Sequence, residues 1–314
     1  MTTGIVILNY ENYLDTIECV KSVFKFCSEE KFTIIVVDNG SKNNSNAKIT
    51  EFLKLYGKSY EIIKSNKIIN KKSPEIVFIK SNENLGYAKG NNLGIKYVIQ
   101  QNIEYTLILN SDILLISNII KPLINHLKLQ PKIGLISPLL MSDENNIDYN
   151  CCRINPTENT LVSESLQFLK IPILNKVINK KYILKTNPDL IKEELIKCDV
   201  ISGACMLGKT NTWEQLNGFD ENTFLYYEEN ILYEKLAKLN LTMALLTIPK
   251  VIHLGAKSTK QFGNTKILRI ELESLLYYMK TYRSITPLKA IFIKAIRLFQ
   301  IFILRLYNIK TKLI

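Results

Sequence analysis

Residues 82–112 read NENLGYAKGNNLGIKYVIQQNIEYTLILNSD. An Asn/Gly-rich turn opens a helix. The helix runs into an apolar strand, Tyr105 to Leu109, which stops at Asn110-Ser111-Asp112. A strand that delivers a carboxylate at its carboxyl end is how open α/β sheets build ligand sites. The stretch therefore predicts a sheet with its site along one edge.

Upstream, the pattern repeats. Ile5 to Leu8 is an all-apolar run, as expected of a strand covered on both faces. Asn9-Tyr10-Glu11-Asn12 ends it. Leu14, Ile17, Val20, Val23 and Phe24 then recur at helical spacing. Phe32 to Val37 predicts a second buried strand, which stops at Asp38-Asn39-Gly40-Ser41, a turn sequence. A helix over roughly 44–55, a basic Asn-rich loop over 64–73 and a third strand over 75–79 follow. The alternation predicts a doubly wound, mostly parallel sheet. No G-x-G-x-x-G follows the first strand, so a dinucleotide fold of the usual kind is not expected. A mononucleotide fits better: Asp38 can accept hydrogen bonds from a base or ribose, and Asp112 can bind a hard divalent cation.

Downstream, Ile133 to Ser137 and Thr242 to Ile248 read as strands, and Cys198 to Leu207 as a strand or edge hairpin. Thr210 is expected to cap a short helix carrying Trp213. Residues 142–197 are polar and weakly periodic, and read as a mobile insertion that shapes an acceptor pocket.

Composition agrees with a globular chain of one large core or two modest ones: 314 residues, 46% apolar and 22% charged. Six cysteines include no C-x-x-C pair and are expected to be reduced thiols. The first residues lack a basic export signal and read as a strand, so a cytoplasmic protein is expected. Charge is uneven. From Lys257 onward there are twelve Lys/Arg against two Glu, a net of +10, which leaves +2 of the chain's +12 for the rest. A basic tail points to an anionic surface.

The runs ILNYEN, VVDNGS, NENLGYAKGNNLGI and LILNSD resemble the successive motifs of the family-2 glycosyltransferases, inverting enzymes of the GT-A fold. SGACMLGKTNTWEQLNGFDENTFLYYEENILYEKL and HLGAKS resemble the acceptor-side motifs of its rhamnosyltransferase-like branch, which builds bacterial surface polysaccharides. The likeness spans roughly residues 3–258. It implies a GT-A domain over 1–258, with a nucleotide-sugar half (1–115) and an acceptor half (116–258). It also implies a nucleotide-sugar donor such as dTDP-rhamnose, a lipid-linked or polymeric glycan acceptor, and Mg²⁺ or Mn²⁺.

By that resemblance, Asn9 and Asp38 contact the nucleoside, and Asn84, Gly86, Ser111 and Asp112 complete the donor site. Asn110 stands where the family's D-x-D-type motif has its first carboxylate. Asp112 is thus the main charged metal ligand, with His253 beside the metal or diphosphate, and Lys257 and Ser258 as further phosphate contacts. Glu229 is the base that takes the acceptor proton, with Glu228 as its neighbour. Ile231 stands where the family often has a further Asp. Each residue also has a plainer reading. Asp112 can cap a helix, and Asp38 can close an Asx turn. Asn84, Gly86, Gly90 and Asn91 can form a turn and cap. Glu228 and Glu229 can complement a helix dipole, and a lone His is commonly structural.

The tail, 259–314, contains LKAIFIKAIRLFQIFIL at 288–304. Lys294 and Arg297 interrupt it, so it is not an unbroken span of the ~20 apolar residues a transmembrane helix needs. A basic, apolar helix fits the membrane interface, on the inner face of the cell membrane. Packing on the catalytic domain or on a dimer partner competes with that reading. Nucleic acid is not expected, because aromatic and basic residues are little interleaved. A sugar-nucleotidyltransferase on a similar sheet is the other enzymatic reading. It lacks the Gly-rich basic loop expected after the first strand.

Overall fold

The computed structural model describes residues 2–65, 74–255 and 264–310. The first half runs β1 (Thr2–Asn9), α1 (Tyr13–Phe26), β2 (Lys31–Asp38), α2 (Ser45–Leu55), β3 (Tyr60–Lys64), β4 (Ile76–Lys80), α3 (Gly86–Gln100), β5 (Tyr105–Asn110), β6 (Ile113–Leu115), α4 (Ile120–Leu129) and β7 (Ile133–Met141). A middle stretch follows with β8 (Cys152–Arg153), α5 (Glu158–Ser165), α6 (Pro172–Asn179), α7 (Ile183–Thr186), β9 (Leu195–Cys198) and β10 (Val200–Ile201). The chain then forms β11 (Cys205–Lys209), α8 (Thr210–Gln215), α9 (Glu228–Lys238), β12 (Thr242–His253), α10 (Asn264–Tyr282) and α11 (Pro287–Lys310).

One sheet has the order β3-β4-β2-β1-β5-β11-β7-β12-β6, with β9 also paired to β12. Strands β3, β4, β2, β1 and β5 are parallel. Of these, β4, β2, β1 and β5 are buried on both faces, which is why they read as unbroken apolar runs. Each fully buried Ile or Val there contributes roughly 1.5–3 kcal/mol. Helix α3 lies close on β1 because Gly94 carries no side chain; a Cβ there would sit 2.3 Å from Val6 Cγ1.

Three features differ from the sequence reading. The expected loop at 64–73 begins one residue late: Tyr60–Lys64 is an edge strand, and residues 66–73 lie outside the described part. An edge strand with one covered residue in five gives little apolar signal. The 198–207 segment, expected as a strand or edge hairpin, divides: β10 pairs with β8 in a separate two-stranded sheet, and β11 sits mid-sheet, antiparallel between β5 and β7. Thr210 does not cap α8; it is the first helical residue, and its hydroxyl pairs with Thr106 at 2.9 Å. Residues 142–197, read as an insertion that shapes the acceptor pocket, contain short helices and the strands β8 and β9, paired with β10 and β12.

The register brings strand ends together. Asn9 is level with Asp38, and Leu8 with Asn110. The Asn110 N–H also donates to Ala204 O at 2.8 Å, and His253 is level with Ile113. Residues from β1, β2, β5, β11 and β12 thus share one edge, outside the carboxyl ends of the parallel strands.

Candidate active site

Asp38 is fully buried and surrounded by donors. Asn9 Nδ2 and Ser41 Oγ each lie 2.6 Å from Oδ1, Asn46 Nδ2 lies 2.7 Å from Oδ2, and the Ser41 N–H lies 3.3 Å from Oδ2. Asn9, also fully buried, accepts from Thr16 Oγ1 at 2.8 Å. Neither side chain lines the cavity described below; Leu8, Tyr10 and Asn39 beside them do. The pair therefore sets the shape of the β2–α2 turn, and Asn39 presents the polar surface.

Asn39 and Asn84 interlock. Asn39 Nδ2 donates to Asn84 Oδ1 and to Gly86 O, both at 3.0 Å, and Asn39 Oδ1 accepts from the Leu85 N–H at 3.0 Å. Asn84 Oδ1 also accepts from the Gly86 N–H at 2.9 Å. Gly86 has φ +82°, and a Cβ there would lie 2.4 Å from Phe224 O. Only glycine permits that approach. The next N–H, of Tyr87, donates to Phe224 O at 2.7 Å. This turn thereby fastens the loop that leads into α9. The Tyr87 hydroxyl donates to Gly203 O at 2.7 Å.

Ser111 and Asp112 follow β5, are buried, and line the cavity. His253 Nε2 lies 3.6 Å from Asp112 Oδ1. His253 Nδ1 donates to Asp148 Oδ2 at 2.9 Å, since a carboxylate only accepts. Burial opposes charge on this imidazole. The Asp148 hydrogen bond and the charges of Asp112 and Asp148 outweigh that, so its pKa lies above the usual value. Burial likewise works to raise Asp148, but its hydrogen bond from His253 prevails and holds it below the ordinary carboxylate range. Asp148 lies in the middle stretch and belongs to no motif, so sequence reasoning did not find it. Lys257 and Ser258 lie outside the described residues.

Glu228 and Glu229 open α9. Two consecutive non-glycine residues in the left-handed region precede them, Tyr226 (φ +77°) and Tyr227 (φ +69°). Such residues cost about 1–3 kcal/mol each and persist only where the surroundings enforce them. Here α10 does so: Ser274 Oγ donates to Leu225 O at 2.8 Å, and Tyr278 stacks on Tyr227 with centroids 5.5 Å apart. The strained turn aims both glutamates into the cavity.

The two carboxylates differ sharply. Glu228 is buried, and its Oε1 has no hydrogen-bond partner. Burial, then the charge of Glu229, push its pKa up to about 8. Glu229 keeps 23% of its side chain exposed, accepts from the Gly203 N–H at 3.0 Å, and has Arg153 Nη2 3.8 Å away. Hydrogen bonds from Thr223 and nearby backbone only partly offset this, and a buried acid beside a like charge is costly to a fold.

These groups line one cavity of about 730 Å³. The middle stretch adds Asp148, Arg153, Lys181 and Tyr182, and the tail adds Leu268, Glu271, Arg297 and Gln300. Arg297 on α11 is buried, with Nη2 2.9 Å from Glu271 Oε1. No sequence motif flagged Arg153 or placed Arg297 near the site. Asp220 faces α10: the Tyr277 and Tyr282 hydroxyls donate to it at 2.8 and 2.6 Å.

Among the described residues, no three His, Cys, Asp or Glu side chains form a ready-made metal cluster. Asp112 and His253 nevertheless suit a hard cation that takes most of its ligands from substrate. They offer a carboxylate oxygen and an imidazole nitrogen, with the second ring nitrogen anchored by Asp148.

Residues 4–150 match the family model for glycosyl transferase family 2. No curated protein matches the sequence. Among solved structures, the chain is similar to a crystal structure of GalNAc-T7 with UDP, GalNAc and Mn2+, at TM-score 0.58 and 13% identity. The match covers 88% of this chain and 50% of that one, so the chain spans half its length. The fold is of GT-A type: a central, mostly parallel sheet flanked by helices, with a helical C-terminal region.

Proposed function

We propose that this chain is an inverting, metal-dependent glycosyltransferase of the rhamnosyltransferase-like branch. It takes a sugar from a nucleotide-diphosphate donor, dTDP-rhamnose or a UDP-sugar, and adds it to a lipid-linked or polymeric glycan in bacterial surface polysaccharide synthesis. The observation that carries this reading is the lining of one cavity by two chemically distinct carboxylate sets. Asp112, paired with the His253 imidazole, is one, and Glu228 with Glu229 is the other. The family-2 match over residues 4–150 supports it. The GalNAc-T7 structure was determined with UDP and Mn2+, which supports a nucleotide-sugar donor and a divalent cation here.

In this reading the nucleoside lies by Leu8, Tyr10 and Asn39, on the turn that Asn9 and Asp38 hold. Asp112 and His253 would hold Mg²⁺ or Mn²⁺, which when bound neutralises charge on the departing diphosphate. The acceptor hydroxyl oxygen attacks the anomeric carbon from the face opposite the diphosphate. The new C–O bond forms as the old one breaks, and the configuration inverts. The hydroxyl proton passes to Glu229. Glu228 is mostly protonated near neutral pH, so the proton is assigned to its neighbour.

The test is a panel of UDP- and dTDP-sugars incubated with the protein, with Mg²⁺, with Mn²⁺ and with chelator, followed by chromatography of the released nucleotide. Slow cation-dependent release of UDP or dTDP from one donor is expected. If no donor is hydrolysed and none binds in a cation-dependent way by calorimetry, the reading is wrong.

A further inference from the structure

Helix α11 has two unlike faces. Its inner face, Ile293, Arg297 and Ile301, is buried. Ile293 joins Leu161, Leu275 and Met279 in a small second core between the tail and α5. The outer face carries Leu288, Ile291, Phe292, Phe299, Phe302 and Leu306, one or two helical turns apart along one side, all exposed, Leu288 to 80%. A row of bulky apolar side chains facing water over that length is not ordinary surface composition.

One border of this face carries charge of one sign. Exposed Lys294 and Arg305 lie along one side, and Lys289, paired with Glu158 of α5, lies on the other. Residues 287–306 include no Asp or Glu. A second copy seated on this face would bring basic borders together with no acid on either helix to offset them. A bilayer with anionic headgroups meets both features: acyl chains take the apolar row, and Lys and Arg extend to the phosphates. Among the described residues, no helix is long and apolar enough to cross a membrane.

We propose that α11 docks the protein on an anionic lipid surface, lying in the headgroup plane with its outer face immersed. The same helix walls the catalytic cavity through Arg297 and Gln300. Docking therefore sets the cavity about one helix diameter, ~10 Å, from the bilayer. An acceptor anchored in that bilayer would reach Glu229 without leaving it. This last consequence rests on the glycosyl-transfer reading; the docking itself does not.

The test is co-sedimentation of the full chain with phosphatidylcholine vesicles, with and without added phosphatidylglycerol, whose charge gives the surface a negative potential. Binding to the anionic vesicles is expected, at least about tenfold tighter than to the neutral ones. Replacing Phe292, Phe299 and Phe302 together with Ser should weaken it at least about a hundredfold. Far-UV circular dichroism and thermal midpoint confirm the fold. Lys294→Glu with Arg305→Glu should remove the preference for anionic lipid while leaving the apolar row whole. The idea is overturned if the full chain binds neither vesicle, or if the triple variant binds as the parent does. It is also overturned if light scattering shows a dimer that the triple variant dissolves with no lipid binding by either. None of these readouts uses sugar transfer, so they stand apart from the test of the donor.

Discussion

Replacing Glu228 with Gln should make the protein more stable as pH rises, at the expense of a group placed in the site. Glu228 has an ordinary value of 4.5 and is pushed up to about 8 in the folded chain. Between those values the folded protein keeps a proton that the unfolded chain has released. The unfolded state then binds fewer protons than the native state, so stability falls with rising pH. The loss begins near pH 4.5 and is complete above about 8. At about 1.4 kcal/mol per pH unit for one proton, the wild-type chain loses about 3 kcal/mol between pH 5 and 7.5 from this group alone. The amide does not titrate, so Glu228→Gln escapes that loss. Any gain or cost from the amide's own hydrogen bonds is the same at every pH and only offsets the two curves. Urea unfolding at pH 5, 6, 7 and 7.5 measures the difference, with Trp213, the single and fully buried tryptophan, as fluorescent probe. The stability gap should widen by about 3 kcal/mol across that range. Parallel curves would show that Glu228 is charged when folded, and would undo the account of how it and Glu229 divide their roles.

Glu229→Gln should lower sugar transfer by about 10²–10⁴-fold, the usual worth of a general base, with donor affinity little changed; kinetics paired with donor calorimetry read this, and near-wild-type transfer removes Glu229 from the chemistry. Asp112→Ala should abolish the tightening of UDP- or dTDP-sugar binding by Mn²⁺ while the thermal midpoint stays close to that of the parent. Unchanged cation dependence in calorimetry would move the metal elsewhere. Gly86→Ala puts a side chain at φ +82° and 2.4 Å from Phe224 O. It should cost more than about 1–3 kcal/mol of stability, visible as a lower unfolding midpoint; an unshifted midpoint would mean that the turn and the Phe224 loop separate easily.

The parallel half was legible in the sequence because its signals are local. Strands covered on both faces must be apolar throughout, so Ile5–Leu8, Phe32–Val37 and Tyr105–Leu109 announce themselves. The polar residues that end them, Asn9, Asp38 and Asp112, are placed at one edge by strand direction alone. The order of motifs needed nothing beyond the chain. What surrounds those residues was not legible. The Tyr87–Gly203 contact joins residues 116 apart, and Asp148–His253 joins residues 105 apart. No spacing rule reaches that far. Strand β11 could not be placed mid-sheet from five residues that would read the same at an edge. The tail's sequence showed an apolar, basic helix but not which face is covered; only packing against α10 and α5 turns Arg297 inward and leaves Phe292, Phe299 and Phe302 outside. Asp38 shows the same limit at a single residue, since its type and position fit a ligand contact, yet four donors enclose it, from Asn9 of β1, Ser41 of the turn and Asn46 of α2. Sequence thus determined which chemical groups lie at the sheet edge, because alternation and strand direction are properties of the local chain. Tertiary structure decided which of them face the cavity and in what protonation state, because burial and the nearness of other charges depend on segments that meet only when the chain is folded.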